Sequence, residues 1–295
     1  MKTRRQFLLN SLLSATLARS GTLLAQQRVL PLNTPGIDHL DIIVPDPETS
    51  ARFYMQLFNT ALHAQPFRGA QRYFILFGDM NVRREVGYMA IGAANGRETG
   101  IGHFCTSVVD WRENSNAIWE AMAEEFSSTG LGDFPGSTGF GGLFEDPDGI
   151  EIQFLPSPDT LVTAATPSDL VAHHQGLITP LSVDHVMLNV SDLDAALRWY
   201  RILYGPENGY DGNTAWFEFP LSNTRLELQE SSYGYNKQPG IDHFGIKTLP
   251  FAANDIVDFL NFFEVDLANI SSENGMVTNL TFTDPDGITI SLNPV

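Results

Sequence analysis

Four times along the chain, an apolar, β-branched run gives way to a stretch with helical spacing and then to shorter strand-like runs. His39–Val44 reads as a strand, and the Pro45–Pro47 segment breaks it. Thr49–Phe58 then pairs Phe53 with Leu57 and Tyr54 with Phe58, the i, i+4 spacing of one helix face. Strand-like runs follow at Tyr73–Phe77 and Tyr88–Ile91. The second pass predicts a strand at His103–Val109, a helix at Asn114–Phe126, and strands around Gly142–Phe144 and at Glu151–Leu155. The third predicts a strand at His185–Val190, a helix at Leu193–Tyr204 with Asp192 as its N-cap, and strands at Ala215–Phe219 and Thr224–Gln229. The fourth predicts a strand at His243–Lys247, a helix at Asn254–Phe263, and strands at Val277–Thr283 and Thr289–Leu292. The order reads βαβββ in each pass, an α+β chain. Between the second and third passes, Pro156–Leu181 holds four prolines and no clear strand, with room for a short helix near Leu170.

The passes share words as well as rhythm. Gly36-Ile37-Asp38-His39 recurs as Gly240-Ile241-Asp242-His243, with variants at Ile101-Gly102-His103 and Val183-Asp184-His185. Asp146-Pro147-Asp148-Gly149-Ile150 recurs as Asp284-Pro285-Asp286-Gly287-Ile288. The offsets agree at about 140 residues, so the chain is a duplication whose halves each hold two units. The repeated turn has a mechanism of its own: Pro fixes the corner and Gly supplies a positive φ, so it is not a calcium loop.

Composition narrows the functional classes. Of 295 residues, 43% are hydrophobic and 18% charged, which fits a globular chain rather than a disordered one. Seventeen basic residues stand against 35 acidic, a net charge of −18, which argues against nucleic acid or an anionic membrane as partner. The lone Cys105 rules out an internal disulfide framework. Residues 1–25 hold four basic residues and no acidic one, and Thr3-Arg4-Arg5-Gln6-Phe7-Leu8 resembles a twin-arginine export signal with Ala25 as a cleavage point. The apolar stretch behind it is too short to span a bilayer. A periplasmic or extracellular location is therefore expected.

The His-bearing first strand and the Asp-Pro-Asp-Gly turn before the last strand, in duplicate, resemble the vicinal oxygen chelate superfamily. That family includes glyoxalase I, type I extradiol dioxygenases, and fosfomycin and bleomycin resistance proteins. The resemblance covers residues 36–156 and 182–294. It implies four βαβββ modules paired into two glyoxalase-like domains, expected at 36–156 and 182–295 with 157–181 as linker. It also implies an open cup in each domain, where first and last strands hold a divalent ion (Fe, Mn, Zn or Ni).

In the C-terminal cup, the resemblance assigns His185 and His243 to the first-strand ligand positions and Glu227 to the carboxylate position. The fourth place, four residues past Gly287, is Ser291 where the family usually has Glu, which counts against ring-cleaving dioxygenase chemistry. His, Glu and His still leave open coordination positions. In the N-terminal cup, His39 and His103 match the histidine positions and Gln153 stands four residues past Gly149, with Glu151 on the same face. Tyr88–Ile91 offers no ligand, and Glu85 would serve only in another register. The C-terminal set, with its carboxylate, is the stronger expectation.

Other residues read more plainly. Cys105, two past His103 on the same face, is expected as a small buried hydrophobe rather than a soft ligand or nucleophile. Asp38, Asp184 and Asp242 are expected on the face opposite their histidines by strand alternation. His173 and His174 read as a solvated pair. Trp216, Phe217, Tyr233 and Tyr235 are candidates for a cup mouth suited to a planar substrate. The sequence thus points to an exported metal-dependent lyase, isomerase or dioxygenase acting on a small oxygenated, aromatic or planar substrate. A metal-free binding protein of the bleomycin-resistance type is the alternative. The expected partner is a small-molecule substrate or ligand, without nucleic acid or a stable membrane anchor; a homodimer is left open.

Overall fold

The structure is a computed structural model that describes residues 29–78, 87–129, 142–156, 165–170 and 176–295. The export segment, Glu85, His173 and His174 lie outside the described residues. Among the described residues, no helix is long and apolar enough to cross a membrane.

Two eight-stranded mixed sheets carry the chain. In the N-terminal lobe, β1 (Gly36–Val44), α1 (Pro47–Leu57), β2 (Leu62–Phe67), β3 (Ala70–Leu76) and β4 (Tyr88–Ala93) form one unit. β5 (Gly100–Val108), α2 (Trp111–Thr129), β6 (Leu143–Glu145) and β7 (Glu151–Pro156) belong to the next, followed by β8 (Thr166–Pro167). The sheet order is β6-β7-β5-β1-β4-β3-β2-β8. The C-terminal lobe holds β9 (Thr179–Val190), α3 (Leu193–Tyr204), β10 (Gly209–Tyr210), β11 (Thr214–Phe219) and β12 (Thr224–Glu230). β13 (Gly240–Leu249), α4 (Ala253–Phe262), β14 (Leu267–Glu273), β15 (Met276–Thr283) and β16 (Thr289–Pro294) complete it, in the order β10-β11-β12-β9-β13-β16-β15-β14. In both lobes the first strands of the two units pair antiparallel at the centre, and each is flanked by the parallel last strand of its own unit.

Local chemistry explains the boundaries. Asp46 caps α1 by accepting from Glu48 N and Thr49 N, with Pro47 in the first turn. Asp192 caps α3 by accepting from Ala195 N at 2.8 Å, as its position suggested. Three features depart from the sequence reading. β2 and β14 were not foreseen, because Leu62-His-Ala-Gln-Pro-Phe67 carries a proline and β14 is almost wholly exposed and polar. The expected linker is not strandless: β8 pairs with β2, and β9 begins at Thr179 rather than at His185. Residues 165–170 hold no helical turn, and 171–175, the rest of the neighbourhood of Leu170, lie outside the described residues.

Strand alternation splits each sheet into two faces. Leu40, Ile42, Phe104, Ile152 and Phe154 of one sheet join Val186, Leu188, Leu226, Phe244 and Ile290 of the other in one continuous buried core. The helices lie in that core: Phe53 of α1 packs on Phe259 of α4 at 6.2 Å, and Phe126 of α2 on Trp199 of α3 at 5.1 Å. The opposite faces, which carry the four first-strand histidines, look away from it.

Candidate metal centres in two cups

Each first-strand histidine follows an irregularity in its strand. Ile37 and His39 pair with successive residues of β5, which leaves Asp38 as an extra residue, and Asp242 is extra between Ile241 and His243 in the same way. Asp184 and His185 together face the single residue Gly245 between the pairs Val183–Ile246 and Val186–Phe244. Gly102 is the extra residue before His103. A bulge sets two neighbours on one side of a strand. This corrects the expectation that the aspartates point away from their histidines. Asp38 Oδ1 lies 2.8 Å from His39 Nδ1, Asp184 Oδ2 2.8 Å from His185 Nδ1, and Asp242 Oδ2 2.9 Å from His243 Nδ1. His103, with glycine before it, instead has Asp41 Oδ2 3.5 Å from its Nδ1.

An ionised carboxylate only accepts, so it fixes the proton on Nδ1 and leaves Nε2 with the lone pair. Burial alone would raise Asp184 and Asp242, but the bonds from their histidines and other donors hold both below the usual carboxylate range. Burial lowers His243, and it lowers His103 to about 4, so both rings are neutral at pH 7.

Within each cup the two rings meet edge to face. The centroids of His39 and His103 are 5.5 Å apart, and those of His185 and His243 are 5.2 Å apart. Two imidazoles sharing an ion through nitrogen at the usual bond length put their centroids roughly 4.5–5.2 Å apart. Both pairs lie close to that separation.

The third donors distinguish the cups. In the N-terminal lobe, cross-strand register sets Tyr88, His39, Cys105 and Gln153 in one row across β4, β1, β5 and β7. His39 stacks on Tyr88 at 4.3 Å. Gln153 Oε1 and His103 Nε2 are buried with no well-formed hydrogen bond to any third group, Gln153 acting on His103 as a neighbour, and both line a cavity of about 420 Å³ that also takes in His39 and Glu151. Buried polar atoms without a well-formed hydrogen bond are where a ligand can be met. Burial raises Glu151 above the usual carboxylate range, with Arg97 acting in the other sense. Cys105 is fully buried, as expected of a small hydrophobe. Even so, Asp38, His39 and Cys105 offer ligand atoms all within 4.8 Å of one another, the one such trio of His, Cys, Asp or Glu among the described residues.

In the C-terminal lobe, Arg225, His185, Gly245 and Ser291 form the equivalent row. Gly245 is required there: a Cβ would stand 2.5 Å from His185 Nδ1. Glu227 is one step along, beside Met187, where the other lobe has Ala90 beside Asp41. It influences His243 electrostatically, but its carboxylate sits 3.1 Å from Arg225. Ser291 is occupied by hydrogen bonds from Asn279 and Thr281. Tyr235 packs edge-on to His243 at 5.3 Å, while Tyr233 is exposed. Trp216 shares the register of Glu227, whereas Phe217 points into the core.

Residues 36–154 match the family model described as the Glyoxalase/Bleomycin resistance protein/Dioxygenase superfamily. Solved structures match over both lobes. That sequence match covers the N-terminal lobe alone, and the likeness of fold extends it to both lobes. Solved structures of similar fold include the 2,3-dioxygenase LapB from Pseudomonas sp. KL28, with TM-score 0.59 and 16% identity over 90% of this chain and 93% of that one. A catechol 2,3-dioxygenase gives 0.57 and 14% over 89% and 93%. The Mn(II)-bound glyoxalase from Novosphingobium aromaticivorans gives 0.55 and 15% over 88% and 82%. At these identities the likeness is one of fold, the α+β vicinal oxygen chelate architecture in two lobes. None of the curated proteins compared matches the chain by sequence.

Proposed function

We propose that this protein is a metal-dependent vicinal oxygen chelate enzyme whose N-terminal cup binds a divalent ion through His39, His103 and Gln153. The observation that carries this reading is that His103 Nε2 and Gln153 Oε1 are buried together, with no well-formed hydrogen bond to any third group, on the wall of one cavity that His39 also lines. The Mn(II)-bound glyoxalase and the dioxygenases of like fold support the presence of a metal. Fe, Mn, Zn and Ni all suit such donors. When bound, the ion would act as a Lewis acid on two neighbouring substrate oxygens.

The chain's own residues supply the rest. Asp38 orients the His39 imidazole through a hydrogen bond to Nδ1, and Asp41 stands 3.5 Å from His103 Nδ1. Glu151, on the same cavity wall and raised by burial, takes and returns a substrate proton. This favours isomerase or lyase chemistry on a small oxygenated substrate. Part of the proposal is export of the folded protein through residues 1–25.

The C-terminal set of His185, Glu227 and His243 is the second reading, favoured by its equally oriented imidazoles 5.2 Å apart. Elemental analysis of untagged protein separates the two. About one equivalent of metal per chain is expected, lost in His103→Ala and Gln153→Ala and kept in His243→Ala. Metal lost only in His243→Ala and Glu227→Ala would move the centre to the C-terminal cup. Trace metal in every preparation would leave a metal-free binding protein.

A further inference from the structure

Beneath the cup of the N-terminal lobe, Asp38, His39 and Cys105 bring a carboxylate oxygen, an imidazole nitrogen and a sulphur within 4.8 Å of one another. Register explains the meeting. Cys105 pairs with His39 across β5 and β1, and the bulge turns Asp38 to the same side. Ser107, two residues past Cys105 and so on its face, donates from Oγ to Asp38 Oδ2 at 3.2 Å. Cys105 is fully buried, and His39 and Ser107 are buried with it. A carboxylate, a ring, a thiol and a hydroxyl thus share one closed space.

The duplication supplies a comparison within the molecule. Asp184 and His185 stand where Asp38 and His39 do, and Gly245 and Lys247 stand where Cys105 and Ser107 do. In that lobe Gly245 leaves the His185 ring space that a Cβ would fill, and Lys247 sets its ammonium 3.6 Å from Asp184 Oδ1. The C-terminal lobe therefore places a cation of its own beside the aspartate. The N-terminal lobe puts two donor atoms, a sulphur and a hydroxyl oxygen, in the corresponding positions. The cup chemistry proposed above uses neither.

We infer that Asp38, His39, Cys105 and Ser107 form a closed site for one thiophilic divalent ion, of the zinc and cadmium kind. A thiolate selects such ions over manganese, and closed sites of mixed sulphur, nitrogen and oxygen donors suit them. The thiol proton leaves to solvent as the metal–sulphur bond forms. The thiolate and the Asp38 carboxylate then neutralise the two charges of the ion, so no net charge is buried. The hydrogen bonds that His39 and Ser107 give to Asp38 must yield to the ion, so the site fills only when a thiophilic ion is supplied. His39 also faces the cup, but the closed site does not rest on the cup's holding a metal.

Titration of the full chain with cadmium chloride, followed by the ultraviolet absorption that a thiolate–cadmium bond creates, tests this. With one cysteine in the chain, such a band reports Cys105 alone. The band is expected in the wild type, absent in Cys105→Ser, and kept in His103→Ala, whose lost ring belongs to the cup. Asp38→Asn should weaken cadmium binding by more than about 100-fold, beyond the loss from removing a group that only orients a ligand. No band in the wild type overturns the inference whatever the variants do. A band lost in His103→Ala also overturns it, since Cys105 would then be a ligand of the cup. Manganese, the harder ion, judges the cup separately. Manganese binding without a cadmium band sinks only the closed site, and a cadmium band in a chain that takes no manganese sinks only the cup.

Discussion

Tyr200, on α3 of the C-terminal lobe, donates a 2.8 Å hydrogen bond to Asp146 in the Asp-Pro-Asp-Gly turn of the N-terminal lobe. Tyr54, on α1, donates a hydrogen bond to Asp284 in the opposite direction. Each turn is therefore both a local device and a clasp. Asp146 Oδ1 accepts from Asp148 N and Ile150 N at 2.9 and 2.8 Å, and Asp284 Oδ1 accepts from Asp286 N and Ile288 N at the same distances. The second oxygen of each faces the other lobe. Asp148 reaches Ser191 N at 2.9 Å, and Asp286 accepts from Ser50, which doubles the exchange.

Removing one phenol leaves a buried carboxylate oxygen unpaired. Tyr200→Phe and Tyr54→Phe should each lose about 1–3 kcal/mol of stability, read from urea unfolding. Asp146→Ala should lose more, since the turn's own bonds go with it. A loss within a few tenths of a kcal/mol would mean that the clasp carries no weight.

The same aspartates set a pH dependence. Burial raises Asp146 and Asp284 to about 6, against 3.8 as the ordinary value. The folded state thus holds its protons more tightly than the unfolded chain. The contribution of these groups is full below pH 4 and is lost as pH rises through 6, about 1–3 kcal/mol per group. His103, lowered to about 4, acts in the other sense: its contribution is full above pH 6.5 and lost as pH falls toward 4. The stability difference between wild type and Asp146→Asn should therefore change with pH between 4 and 7, wild type gaining on the acid side. A difference that stays flat across that range would show that Asp146 titrates normally.

The bulged aspartates should govern metal retention. Asp38→Asn keeps the shape but removes the charge that fixes the His39 tautomer. It should weaken metal binding about 10–100-fold in a chelator competition, while Asp184→Asn has little effect. If the effects are reversed, the C-terminal cup holds the ion.

Gly245→Ala sets a Cβ 2.5 Å from the His185 ring. The ring must move, at a cost of about 1–3 kcal/mol. NMR of the histidine side chains should show His185 displaced and His39 unchanged. An unshifted His185 would contradict the packing described for that row.

Much of the architecture was legible because it was written twice. The Gly-Ile-Asp-His and Asp-Pro-Asp-Gly words marked the first strands and the last turns, and Gly149 and Gly287 take positive φ of 79° and 87° as the turn reading required. Strand alternation failed at Asp38, Asp184 and Asp242 because a bulge breaks the period of two, and no local composition announces it. The Tyr54–Asp284 and Tyr200–Asp146 bonds join residues 230 and 54 positions apart, beyond any local pattern. The weight given to each cup shifted for a related reason. A carboxylate at Glu227 looked like the better donor in sequence, yet Arg225, on the same strand, sits beside it. Gln153 looked weak as a neutral amide, and its burial beside His103 on the cavity wall is what the proposal adds.

The central claim is that the ion sits between His39 and His103. Anomalous diffraction from crystals of Mn-loaded protein tests it most directly. The account expects one strong peak within bonding reach of His39, His103 and Gln153. A peak confined to His185, Glu227 and His243, or none in either cup at full metal occupancy in solution, would contradict it.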